Sequence, residues 1–421
     1  TPGAGWRKSG MGESALESIR GFRIVDGDGH VLEPPDALPG YAPVEYRDRI
    51  WHIETDAEGR ELSVFDNRRG SSNGFALAGT AGMSHEDQAR AMAGQLRYTE
   101  CQRGAFEPGA RLDALRPEGI QQSVIYPTAM LGIAAVEDHR FAAAQCSAYN
   151  RWISDYCSHA PDRLFAVGAV PQQDVSLTVE AIHECRRLGH AAVFMRPNPL
   201  IPNTQLNDSR YDPIWAALCE TGLPVGLHPF LMADVPGACR ALGLASFSFD
   251  DDMAAIGAQV GLGNIYFSQA IANPFDMMLS AAFLISGGVL ERFPTLKVIL
   301  LEANGGWIVP WLERLDHHQE VFRWDVPYLT MRPSEYFRRQ CWISFDADEE
   351  FIAATANSPL CGADRIIWAS DYPHPDAKFP GVVAELAEST ASLSEAQRRR
   401  IFGENAAELY ALPPVREPAT V

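Results

Sequence analysis

Lysine is almost missing from this 421-residue chain: Lys8, Lys297 and Lys378 stand against thirty-two arginines. None of the three closes one of the apolar segments described below, so a Schiff-base lysine or a carboxylated lysine bridging two metal ions is excluded. Also missing is any apolar run near the roughly 20 residues that cross a bilayer. The opening stretch TPGAGWRKSGMGESALESIR has no apolar signal-peptide core. A cytoplasmic protein without a membrane partner is expected. Basic charge is scarce as well, with 54 acidic against 35 basic side chains and a formal charge of -19, which repels phosphate backbones and argues against nucleic acid. The eight cysteines show no CxxC spacing and read as reduced, buried thiols. No G-x-S-x-G elbow accompanies a plausible triad, and no phosphate-binding or dinucleotide glycine motif follows a strand.

What the chain does have is eight short segments rich in apolar and β-branched residues, spanning 23–30, 123–128, 165–171, 191–197, 224–229, 297–303, 342–348 and 365–371. Most are nearly continuous apolar runs, as strands buried on both faces of a parallel sheet require. Amphipathic stretches of helical length separate them, such as SLTVEAIHECRRLG and YDPIWAALCETGL, the latter stopped by Gly222 and Pro224. The alternation predicts an α/β fold, a (β/α)8 TIM barrel with long insertions after strands 1 and 5. The expected division is a flexible tail over 1–20, one barrel domain over 21–412 that includes a lid-like insertion at 31–122, and a tail over 413–421. The second long connection, 230–296, also leaves from the C-terminal end of its strand. Trp51, Phe65, Phe75, Phe230, Phe247 and Phe249 either line a pocket there or pack against the barrel, packing being the better bet for each.

Polar residues close several of these strands. Asp28 and His30, two apart in an extended segment, point the same way. His228 ends the fifth strand and Asp371 the eighth. Each alone reads as a cap or a structural histidine; together they form a two-nitrogen, two-oxygen set for one divalent ion, zinc first, with manganese and iron as alternatives. Glu302 closes the sixth strand as a further ligand, a base, or a carboxylate holding one of the histidines. Arg196 closes the fourth, either as a bidentate clamp for a substrate carboxylate or as a salt bridge beneath the rim. His374 either donates a proton or caps its loop. Glu33, Asn304 and Asn273 complete the candidates as rim or supporting residues.

The strings VDGDGHVLEP, GLHPF, GGVLERFPTLKVILLEANGGWIVPWLERLDH, SFDADE, ASDYPHPD and ENAAELY resemble the amidohydrolase-related metal-dependent hydrolases, the branch that includes aminocarboxymuconate-semialdehyde and γ-resorcylate decarboxylases. The resemblance runs over about residues 23–411. It implies a (β/α)8 barrel holding one divalent ion on Asp28, His30, His228 and Asp371, a small-molecule substrate, and a homodimer. Asp28 is a departure from the His-x-His or Glu-x-His pair of many relatives. Relatives often show His-Pro-Phe where this chain has Asn273, Pro274 and Phe275. The decarboxylases carry a catalytic histidine where this chain has Glu302. Hydrolysis of a small amide, ester or lactone by a metal-activated water, with Asp371 or Glu302 taking the proton, is therefore the leading reading. Non-oxidative decarboxylation of an aromatic or unsaturated acid follows closely. Behind these stand an iron-dependent oxygenase and a non-catalytic barrel.

Overall fold

A computed structural model describes residues 15–66, 68–71, 73–201, 203–229 and 268–415. After β1 (Val25–Val31) comes a three-stranded antiparallel sheet of β2 (His52–Thr55), β3 (Glu61–Phe65) and β4 (Arg68–Ser71). Then follow β5 (Gln122–Pro127), β6 (Leu164–Ala169), β7 (Ala192–Met195), β8 (Val225–Leu227), β9 (Val298–Leu300), β10 (Cys341–Asp346) and β11 (Ile366–Ala369). β1 and β5 to β11 form one eight-stranded sheet in sequential order, with each neighbouring pair parallel. Just beyond β11 the ends of the sheet meet: His30 N–H donates to the Tyr372 carbonyl at 2.8 Å and Asp371 N–H to the Asp28 carbonyl at 3.2 Å. All eight expected strands are present, each within a few residues of its expected bounds.

The continuous apolar runs are explained by burial on both faces. Val298 and Leu300 join one core together with Val193, Met195 and Trp368; their neighbours Ile299 and Leu301 join a second with Phe194 and Ile367. Successive side chains point to opposite sides of a strand, so this division is the period of two made visible. Helices Val175–Leu188 and Asp212–Thr221 end on Gly189 and Gly222 at φ 79° and 71°, a left-handed conformation that glycine adopts without a Cβ clash. Ile19, ahead of residue 21, and Phe22, just past it, are both buried in the first of these cores.

The antiparallel sheet inside the first insertion has no counterpart among the sequence expectations, because its strands are short and only partly buried. Trp51, Phe65 and Phe75 are all buried and pack together and onto the barrel, with Trp51 and Phe75 rings 5.7 Å apart and Phe65 6.2 Å from Phe141. They are packing residues, as the better bet had it. Phe230, Phe247 and Phe249 lie outside the described residues. The insertion sits over the strand ends: Ala81 N–H donates to the Pro373 carbonyl and Gln88 Nε2 to the Pro375 carbonyl. Among the described residues no helix is long and apolar enough to cross a membrane. Six cysteines are buried free thiols, with Cys219 partly exposed.

Candidate metal centre

His30 and His228 are each fixed through Nδ1, which lies 2.8 Å from the carbonyl of Pro127 and of Pro229 respectively. A carbonyl only accepts, so both Nδ1 atoms carry the proton and both Nε2 atoms are bare acceptors. Those two Nε2 atoms face each other at 3.2 Å. Asp28 Oδ1 lies 3.7 Å from His30 Nε2 and Asp371 Oδ1 lies 3.6 Å from it. Asp28 is buried, and its Oδ1 has no hydrogen-bond partner. Two acceptor nitrogens, a second carboxylate and an orphaned buried oxygen thus converge. A divalent cation satisfies all of them at once, so the donor set fits the expected ion. Among the described residues two overlapping groups have metal-ligand spacing: Asp28 with His30 and His228, and His30 with Asp371 and His374.

Burial and mutual repulsion leave their mark on every member. Burial, then His374, holds His30 well below the usual imidazole range, and burial holds His228 down at about 3. Burial first, and the Asp371 and Glu302 charges next, push Asp28 up. Asp371 is raised by burial and by Asp376 and Asp346, Glu302 by burial and by Asp371. Neutral histidines and crowded carboxylates are the state in which a bound cation gains most.

Glu302 stands against the centre, with Oε2 3.0 Å from His228 Nε2. Its Oε1 accepts from Gln269 Nε2 at 3.1 Å, and Gln269 Oε1 accepts from Asn273 Nδ2 at 2.8 Å. Asn273 therefore supports Glu302 through Gln269, a residue in a long connection where no periodic signal singles it out. His374 stacks on His30 at 4.1 Å between centroids, bonds through Nδ1 to Asp371 Oδ1 at 2.7 Å, and meets Thr128 Oγ1 through Nε2 at 3.0 Å. Glu302, Asn304 and Asp371 take φ of 44°, 53° and 52°. Left-handed backbone in non-glycine residues is a strain that clusters where side chains must be aimed.

Other candidates turn elsewhere. Glu33 does not reach the rim: its carboxylate accepts from the amides of Ala129 and Met130 at 2.9 and 3.2 Å, and burial raises it to about 7. Arg196 is buried among protein groups, with Nη2 3.3 Å from Asn198 Oδ1. Asn304 Nδ2 donates to Asp346 Oδ2 at 3.1 Å. Asp346 closes β10 just as the chosen acids close their strands, so the same strand-end signal was there to find it.

The centre opens into a cavity of about 390 Å³ whose wall includes Asp28, Gln269, Glu302, Asp346, Asp371 and Lys378. Lys378 is the one basic side chain among the described residues lining it, and it pairs with Asp348 at 2.9 Å. That volume suits a small organic molecule.

The amidohydrolase family model matches residues 25–412. The chain is 24% identical over 322 residues to 2-amino-3-carboxymuconate-6-semialdehyde decarboxylase of Dictyostelium discoideum, covering 75% of this chain and 80% of that one. It shares its fold with an amidohydrolase from Mycobacterium avium subsp. paratuberculosis K-10, with a TM-score of 0.70 and 21% identity over 93% of this chain and 99% of the other. It shares it also with a dihydroxybenzoic acid decarboxylase from Polaromonas sp. JS666 solved with manganese and 2-nitroresorcinol, with a TM-score of 0.59 and 19% identity over 75% and 89% of the two chains.

Proposed function

The chain belongs to the amidohydrolase family, and from that premise we propose that it is a metal-dependent carboxy-lyase that removes CO2 from a small aromatic or unsaturated carboxylic acid without oxidation. The observation that carries this is a cation-demanding donor set whose two carboxylates, Asp28 and Asp371, share one cavity wall with a separate carboxyl group, Glu302. The likeness to decarboxylases supports lysis over hydrolysis, which reverses the order reached from the sequence.

Asp28, His30, His228 and Asp371 would hold the ion. A divalent ion held there would supply Lewis-acid charge for a substrate carboxylate. Manganese in the Polaromonas neighbour supports manganese beside zinc as the resident ion. The chain's own groups do the rest. His374 holds the Asp371 carboxylate through Nδ1. Gln269 fixes Glu302 Oε1 and leaves Oε2 beside the centre. Glu302 as the carboxylic acid gives its proton to the ring carbon that bears the carboxylate. The C–C bond then breaks, its electron pair returns to the ring, and CO2 departs. Solvent restores the proton on Glu302. Lys378, the basic group of the wall, offsets part of the negative charge that the acid brings.

Hydrolysis stands as the second reading because a carboxylate 3.0 Å from a ligand nitrogen is also placed to take a proton from water. The test offers purified protein, loaded with Mn or Zn, a panel of hydroxybenzoates and a panel of lactones, and follows CO2 and acid release together. CO2 release from the benzoates with intact lactones is the expected result. Acid release from lactones without CO2 sinks the lyase reading.

A further inference from the structure

The helix Pro108–Leu115, inside the insertion after β1, carries Arg111, a fully buried arginine outside the centre just described. Its Nη1 donates to the backbone carbonyl of His30. Its Nη2 reaches the Tyr372 carbonyl and Ser123 Oγ, each at 3.4 Å, and the guanidinium lies 5.4 Å from the Tyr372 ring. The two carbonyls it holds belong to a metal-ligand candidate and to the residue after another, Asp371. Below it lies Asp26, also fully buried. Asp26 Oδ2 accepts from Ser123 Oγ at 2.7 Å and from Ser370 Oγ at 2.9 Å, while Oδ1 accepts from Ser370 N–H at 3.0 Å. Ser370 immediately precedes Asp371.

Arg111, Ser123 and Asp26 therefore form one continuous polar brace across the seam where β1 meets the turn after β11. Gly29 makes room for it, because a Cβ there would collide with Asp26 Oδ2 and come within 2.7 Å of Arg111 Nη2. A buried charge of this kind is expensive unless its partners are fixed. Besides the Tyr372 ring it meets the carbonyls of His30 and Tyr372 and the Ser123 hydroxyl, groups that carry or adjoin the side chains of the centre. We propose that Arg111 is a positioning residue, acting with Asp26 and Ser123 to set His30 and Asp371 at the separation that binds the ion. The long insertion after β1 is thereby part of the metal centre's construction as well as its cover. The inference rests on the metal-centre reading above.

The test measures metal affinity and ligand field rather than turnover. Wild type, the charge-balanced double variant Asp26→Asn/Arg111→Met, and Arg111→Lys are titrated with Zn against a competing chelator and loaded with Co for visible absorption. Loss of a group that orients ligands typically weakens metal binding ~10–100-fold, so at least fivefold weaker binding with an altered cobalt band is expected in each variant that folds by circular dichroism. Arg111→Lys keeps the charge but has no fork to span two carbonyls, and so carries the test where the double variant does not fold. Affinity less than fivefold below wild type, or a cobalt band identical to wild type, overturns the proposal. Failure of wild type itself to take up an ion removes the metal-centre reading and the brace with it.

Discussion

The Nε2 atoms of His30 and His228 stand 3.2 Å apart, both turned inward by carbonyls that hold the opposite ring nitrogens. Without a cation between them this is a repulsive contact of two lone pairs in a buried site. The chain maintains it because Pro127 at the end of β5 locks the His30 ring and Pro229 just past β8 locks that of His228.

Removing one member should therefore empty the site without unfolding the barrel. His228→Ala and Asp371→Ala are each expected to hold less than half an ion per chain and to lose more activity than the ~100-fold that loss of an outer partner causes. Metal content by mass spectrometry and a thermal melt of the metal-free forms check this. Near-wild-type rates in either variant show the ligand assignment to be wrong.

Metal removal has a pH-dependent consequence. Burial and mutual repulsion raise Asp28, Asp371 and Glu302 in the folded state above their unfolded values, so these carboxyls oppose folding as pH rises and cease to do so on acidification. A bound ion offsets that repulsion, by about 2.7 kcal/mol when present at 100 times its Kd. The gap in melting temperature between metal-loaded and chelated protein should be widest near pH 8 and narrow toward pH 5.5. A gap that widens on acidification refutes the carboxylate crowding.

His190 offers an independent titration away from the centre. Burial holds it at about 4, with Nε2 against Ser154 Oγ and the Asn150 carbonyl. It is neutral when folded, while the unfolded chain protonates it below its ordinary value of 6.5. Its contribution to stability is complete above pH 6.5 and is lost as pH falls toward 4. Urea unfolding of His190→Asn should show a shallower decline across that window than wild type.

Glu302→Gln separates proton transfer from metal binding. The amide keeps the shape and the Gln269 contact but has no acidic proton to give, so kcat should fall ~10²–10⁴-fold with the ion still bound. Loss of the ion along with activity would instead make Glu302 a ligand.

Gly305→Ala tests the turn that carries Glu302 and Asn304. A Cβ at Gly305 would run into the Phe345 ring, and relieving such overpacking costs about 1–3 kcal/mol. A lowered urea midpoint at unchanged slope is the expected signature.

Much of this architecture could be read locally. A run such as KVILLEA contains its own evidence of burial on both faces, and Gly222 before Pro224 stops a helix wherever it stands. The four proposed ligands could be put forward from the sequence because they share one position, the C-terminal end of a barrel strand. Glu33 shows the limit: it follows His30 by three residues, yet its carboxylate meets the amides of Ala129 and Met130. Gln269 and Arg111 gave no local sign, since each acts on a residue 33 or more positions away.

The sequence by itself determined the barrel, its strand ends and the chemical type of the donors, because periodicity and residue chemistry act over a few positions. Only the tertiary structure decided which donors converge and what aims them. His30 and His228 are 198 residues apart, and their meeting depends on strand order, on left-handed turns at Glu302 and Asp371, and on a buried arginine from the insertion. Those are non-local constraints, set by packing and hydrogen bonds between segments that the chain brings together only when folded.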